Sequence, residues 1–320
     1  MRHLAFLTAA LLSAPAAAQV GVDPAFQPYP PASGVSGTLK SIGSDSLNNL
    51  MTLWSEGFRA RYPSVRIEIE GKGSSTAPPA LIEGTAQFGP MSRPMKGAEV
   101  DAFVKRFGYE PASFRSAVDA LAVFVHKDNP VACLTLAQLD AVFSKTRRGG
   151  AAADVRTWGE LGLTGDWAQA AVSLYGRNSA SGTYGYFKEV ALFDGDYKDT
   201  VKEQPGSSTV VQGVASDRYG IGYSGVGYAT ADVRAVPIAA SAGEPCHPAT
   251  AERAYAGEYP IARFLYVYLN KPPNAPLDPL RAEFVRFVYS RQGQEAVVKD
   301  GYFPVPASVA REDMTKLGLE

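Results

Sequence analysis

Three loops in this sequence combine glycine with hydroxyl side chains directly before a helical pattern. They are Gly43-Ser44-Asp45-Ser46, Gly73-Ser74-Ser75-Thr76 and Arg177-Asn178-Ser179-Ala180-Ser181-Gly182-Thr183. The first turn of a helix leaves backbone N–H groups without partners and carries about half a positive charge, so it receives anions. Ser and Thr hydroxyls add donors, and glycine lets the backbone approach a ligand closely. Arg177 brings a full positive charge, in a fork that matches two oxygens of a tetrahedral oxyanion. Any one of these loops reads equally well as ordinary capping, since Ser, Thr and Asp favour N-cap positions. Three of them, one with an Arg four residues ahead of Ser-Gly-Thr, point instead to an anion site.

Other chemistries find little material. The chain has three His (His3, His126, His247) and two Cys (Cys133, Cys246), too few for a closed Cys/His metal site or for His-based acid–base work. His126 ends an apolar run as a turn residue, and His247 sits in a loop beside Cys246. Gly71-Lys72 precedes Gly73 rather than Ser or Thr, so no nucleotide-binding P-loop is present. Around Ser224 the order is Gly222-Tyr223-Ser224-Gly225-Val226, which is not a nucleophile elbow. Glu68 and Glu70 share one solvated face of a strand. With 31 basic and 32 acidic residues, a formal charge of −1, no polycation is available for nucleic acid. A non-enzymatic chain without cofactor or metal is expected.

The elements that must position the loops follow. Residues 1–18 read as a cleaved leader: Arg2, the apolar run Leu4 to Leu12, and Ala16-Ala17-Ala18 before Gln19. Export to an oxidising compartment follows, where Cys133 and Cys246 can pair. No segment after the leader is apolar for long enough to span a bilayer. Residues 19–35, rich in Pro and small side chains, form an extended arm. Strands are expected at 37–42, 65–69, 116–125, 172–176, 219–223, 233–238 and 261–269. Helices are expected at 47–58, where Leu47, Leu50, Met51, Trp54 and Phe58 share a face, and at 78–86, 97–107, 134–143 and 182–192. Pro205-Gly206-Ser207-Ser208-Thr209 opens a further helix, and 280–298 reads as one long amphipathic helix. Alternating strands and helices give an α/β fold with mainly parallel sheets. No Gly/Ser linker splits the chain, so two lobes are expected to share it discontinuously.

In this order the loops resemble those of the phosphate-binding proteins of Pst-type ABC importers, a family of periplasmic substrate-binding proteins of type II. Supporting segments run through the chain: GSDSLNNLMTLW, GKGSSTAPPALIEGTAQFGPMSRPM, VDALAVFVHKDNP, LTLAQLDAVFS, GRNSASGTYGYF, YGIGYSGVGY, YPIARFLYVYLN and SRQGQEAVVKDGYFPVP. The resemblance implies two α/β lobes joined by two crossover strands, lobe one from 36–118 with 257–320 and lobe two from 119–256. It implies inorganic phosphate in the cleft, an inner-membrane ABC permease as partner, a periplasmic location and a monomer. Ser74, Arg177, Ser181, Gly182 and Thr183 match the family's ligand residues, and Ser44, Asp45, Ser46 and Ser75 lie in the same loops. Another tetrahedral oxyanion, a phosphorylated small molecule, or a secreted phosphohydrolase or sensor on this scaffold are the alternatives.

Two positions depart from the family's pattern. The best-known members have an Asp as acceptor of the phosphate proton where this chain has Ser92, and another Asp where it has Ser179. Conversely, Asp45 stands where those members have a hydroxyl residue. A carboxylate beside an anion repels it unless the ligand brings a proton, which phosphate does near neutral pH and sulfate does not. Asp45 is therefore expected to take over as acceptor and to reject sulfate, with a plain N-cap as its alternative role. Arg93, beside Ser92, is a second cation without an assigned role.

Overall fold

Leu47, Leu50, Met51, Trp54 and Phe58 are completely buried, and Trp54 Nε1 donates to the Gly293 carbonyl at 2.7 Å. This stripe fixes the first helix and, through it, the loop that precedes it. The computed structural model describes residues 20–320; the expected leader at 1–18 lies outside them. Along the chain run β1 (Gly37–Gly43), α1 (Asn48–Arg59), β2 (Val65–Gly71), α2 (Ala77–Glu83), β3 (Gly89–Met91), α3 (Gly97–Phe107), β4 (Ala112–His126), β5 (Leu134–Thr135) and α4 (Leu136–Phe143). There follow β6 (Ser173–Arg177), α5 (Gly182–Ala191), β7 (Lys202–Gln204), α6 (Ser207–Ala215), β8 (Gly220–Gly225), β9 (Val233–Ala235), β10 (Ile238–Ala239) and α7 (Ala251–Tyr255). The last elements are β11 (Ala262–Leu269), α8 (Pro279–Val288), α9 (Arg291–Lys299) and α10 (Ala307–Leu317).

β4 organises the whole. Its first part, Ala112 to Ala120, pairs with β11, and the rest, from Leu121 on, pairs with β8 and β9. The same strand therefore belongs to two lobes. One lobe adds β3 beyond β11 and the parallel pair β1–β2, tied in by a Ser41–Phe88 bridge. The other extends from β8 through β6 to β7, all parallel, with β5–β10 as a separate small pair. The mainly parallel pairing that was expected is found in β1–β2, β5–β10 and β8–β6–β7. The ladders of β4 and β11 are antiparallel, because these two strands carry the chain between the lobes in opposite directions.

Elsewhere the expected strand 233–238 divides into β9 and β10, β3, β7, α7 and α10 stand where no element was expected, and one expected helix is interrupted. The stretch 280–298 divides into α8 and α9, because Ser290 Oγ accepts the Gly293 N–H at 3.2 Å and starts a new helix. The arm before β1 is anchored: Phe26, Tyr29 and Val35 are buried, and the Tyr29 hydroxyl donates to Glu283 Oε2 at 2.6 Å. Cys133 and Cys246 form a disulfide with Cα atoms 6.1 Å apart, holding the loop after β10 to the residue before β5. Closing a loop of 113 residues is worth about 5 kcal/mol in chain-entropy terms.

Candidate functional site

The loops of the first lobe are shaped by close approach. Ser44 follows β1 and donates its N–H to the Pro90 carbonyl at 2.7 Å, which ties this loop to β3. A 3-10 turn over Asp45–Leu47 then presents Ser46 Oγ, 2.9 Å from Thr183 Oγ1. After β2, Gly73 has φ of +115°, and a Cβ there would sit 2.5 Å from the Ala180 carbonyl oxygen. Ser75 donates its N–H to that same oxygen at 3.1 Å. Ser74 Oγ accepts the Ser92 N–H at 3.0 Å and lies 3.3 Å from Ser92 Oγ. Opposite stands Gly182, the first residue of α5. A Cβ on it would come within 2.2 Å of Ser74 Oγ, so glycine is what lets the helix start descend onto these serines.

From the second lobe, β6 delivers Arg177, only 1% exposed. Its Nη1 donates to Ser207 Oγ at 2.6 Å and its Nη2 to the Pro205 carbonyl at 3.0 Å. Asp45 Oδ2 lies 3.3 Å from Nη1. The buried Nε–H has no partner, a donor that a bound anion can satisfy and whose burial is otherwise costly. Burial pulls the guanidinium below its ordinary range, and Asp45 opposes that. Arginine stays charged regardless. Ser181 caps α5, its Oγ accepting the N–H groups of Thr183 and Tyr184 at 3.1 and 3.4 Å. Thr183 Oγ1 also lies 3.4 Å from Ser92 Oγ.

Ser46, Ser74, Ser92, Gly182 and Thr183 thus meet at one point between the lobes, with Arg177 and Asp45 beside them. Ser44 and Ser75 donate their backbone N–H groups to the Pro90 and Ala180 carbonyls, Ser75 Oγ accepts from Arg93 Nη2 at 3.4 Å, and Ser179 is exposed. Asp45 does not cap its own turn, as the alternative for it supposed. Its Oδ2 accepts the Ser207 N–H at the start of α6, 2.8 Å away, in the other lobe. Arg93 is held by both oxygens of Glu99 at 2.7 Å, so its charge is spent locally. Three residues were not assigned to the site from the sequence. Ser207 belongs to a loop of the same design as the other three. Asp119 and Arg263 face each other across the crossover strands, and each is a charge inside an apolar run, which is a readable signal. Among the described residues no cluster of His, Cys, Asp or Glu can hold a metal ion. No described helix is long and apolar enough to cross a membrane.

A family model described as a PBP superfamily domain matches residues 29–292. The phosphate-binding protein PstS of Pseudomonas aeruginosa is 56% identical over 319 residues, covering 100% of this chain and 98% of the relative. The chain belongs to the PBP superfamily, among the PstS proteins. Solved PBP structures agree with its fold. A chain described as a phosphate ABC transporter substrate-binding protein with bound phosphate, from Clostridium perfringens, superposes with a TM-score of 0.70 at 26% identity, covering 84% of this chain and 100% of that one. An ABC-type phosphate transport receptor from Vibrio cholerae gives 0.65 at 21% identity, covering 84% and 100%.

Proposed function

We propose that this protein binds inorganic phosphate between its lobes and hands it to an inner-membrane ABC permease, working in the periplasm as a monomer without catalytic activity. The observation that carries the reading is the buried Arg177, its Nε–H unpartnered, beside hydroxyls drawn from both lobes. The relatives' names, which pair this fold with phosphate and an ABC transporter, support it. The switch of β4 partners near Ala120 supports the first lobe boundary, at 118/119, and β11, which starts at Ala262 beside Ala120, supports a return to the first lobe after 256.

In this reading Arg177, Ser46, Ser74, Ser92, Ser181, Gly182 and Thr183 surround the anion, and Asp45 accepts its proton. Hydrogen bonds to a charged group give about 1.5–3 kcal/mol each, and a helix start up to about 2. A micromolar complex needs only about −8 kcal/mol net. One loop cannot supply that after the cost of desolvating the anion, whereas two lobes together can. Closure follows because the closed state makes more of these bonds than the open one.

Calorimetric titration of anion-stripped protein with phosphate, arsenate and sulfate tests the reading. Stoichiometric heat with phosphate and none with sulfate is expected. Preference for sulfate, or phosphate release from model esters, would overturn it in favour of another oxyanion carrier or a hydrolase.

A further inference from the structure

Asp119 is the one charged residue of the apolar run Ala117–Val125 in β4, Arg263 is the one charged residue of β11, and the antiparallel register sets the two directly across from each other. Asp119 is fully buried and Arg263 is 7% exposed. Nε and Nη2 of Arg263 both donate to Asp119 Oδ2, at 3.0 and 2.8 Å. The guanidinium has donors left over, and they go to opposite lobes. Nη1 donates to the Ser92 carbonyl at 2.8 Å, and Nη2 to Thr183 Oγ1 at 2.9 Å. The other oxygen of Asp119, Oδ1, accepts the Val226 N–H at 3.0 Å. The turn that begins there places Tyr228, whose hydroxyl donates to the Asp45 carbonyl at 3.0 Å.

We infer that the Asp119–Arg263 pair is the positioning device of the phosphate site, acting through Thr183; this rests on the phosphate reading above. A hydroxyl that accepts from a guanidinium must point its own proton elsewhere. With one lone pair taken by Arg263, Thr183 turns its O–H away from the hinge and toward Ser46, Ser92 and the anion. The same guanidinium joins Ser92 of one lobe to Thr183 of the other, so its bonds are complete only when the lobes are closed. Arg177 faces the ligand. Arg263 stands behind it, its charge neutralised by Asp119, and adds direction rather than net charge. A lysine cannot do this, because its point charge lacks the fork that reaches Asp119, Ser92 and Thr183 together.

The test is a double-mutant cycle read by phosphate titration, with thermal unfolding of each variant in phosphate-free buffer. Arg263→Lys, which keeps the charge opposite Asp119, is expected to weaken phosphate binding at least tenfold. Thr183→Val is expected to abolish that sensitivity, the double variant binding no worse than Thr183→Val alone. Thr183→Ser, which keeps the hydroxyl, should bring the sensitivity back. Should Arg263→Lys not fold, Asp119→Asn in the same two backgrounds serves, since it frees the guanidinium from its anchor. Equal weakening with and without the Thr183 hydroxyl overturns the inference, as does loss of thermal stability with affinity intact. A parent protein that takes up no phosphate sinks the functional reading itself, whereas a binding parent with insensitive variants sinks this inference alone.

Discussion

The two helices that begin beside Arg177 have their first N–H groups satisfied in opposite ways. α5 caps itself, Ser181 Oγ accepting from Thr183 and Tyr184 two and three residues on. α6 is capped from 162 residues away, Asp45 Oδ2 accepting the Ser207 N–H at 2.8 Å. The same carboxylate lies 3.3 Å from Arg177 Nη1. A cap supplied from within survives any movement of the lobes. One supplied from across the cleft exists only when they meet. The lesson is that α5 offers a preformed half of the site, while the start of α6 couples closure to charge.

Arg177→Ala breaks the comparison most severely, because it removes the cation shared by Asp45, Ser207 and the Pro205 carbonyl. Deleting one partner of a buried charge set costs about 3–5 kcal/mol, so calorimetry should find phosphate affinity down by more than a hundredfold. An affinity within a factor of three of the parent's would remove Arg177 from the site. Asp45→Asn is next in size and sharpens the contrast. It keeps an acceptor for the Ser207 N–H but can no longer take the ligand's proton as a charged partner. A loss of about 1.5–3 kcal/mol for phosphate is expected, with sulfate gaining relative to it. An unchanged preference between the two anions would return Asp45 to a purely structural cap.

Much of this was readable beforehand, and the exceptions share a cause. Loop composition singled out Ser46, Ser74, Arg177, Ser181, Gly182 and Thr183, which the fold draws together, because the residues that favour helix starts also favour anions. Hydrophobic period located α1, whose apolar face is long enough to show it. Sequence could not show which loop faces which. Asp45 read as an acceptor for the ligand's proton or as a local cap, and only the fold reveals that it also caps α6. Arg93 read as a spare cation because nothing in Arg93 to Glu99 says that the chain turns back so that the two side chains meet. Asp119 and Arg263 were legible as charges within apolar strands, but a strand read only for its hydrophobic residues hides them. β3 and β7, three residues each, are too short to carry a period.

Asp300 provides a counterpart to Asp45, a buried carboxylate without a cation. Its Oδ2 has no partner, Asn49 donates to its Oδ1, and burial pushes its carboxyl up to about 6. The folded value lies above the ordinary value of about 3.9, so between the two the native state holds a proton that the unfolded chain releases. The stabilisation from Asp300 is therefore full below about pH 4 and is lost as pH rises through about 6. Asp300→Asn should leave the protein about 2–3 kcal/mol more stable than the parent at pH 7, and level with it at pH 4. Denaturant unfolding across that range checks it; a difference that does not vary with pH assigns the effect to packing instead.

Ser181→Ala probes the self-sufficient helix and is the smallest effect expected. Loss of an N-cap hydroxyl costs about 1 kcal/mol, and here two N–H groups lose one acceptor. Because that cap lies within one lobe, the cost should appear in thermal unfolding of the phosphate-free protein as well as of the complex. Asp45→Asn should behave differently, its penalty concentrated in the complex, since the lobes must close before Asp45 meets Ser207. The comparison of α5 with α6 therefore reduces to a measurable difference. Subtract each variant's change in unfolding free energy without phosphate from its change with saturating phosphate. For Ser181→Ala the remainder should be near zero, and for Asp45→Asn it should hold most of the effect. Equal remainders would mean that both helix starts are set before closure, and that Asp45 couples nothing.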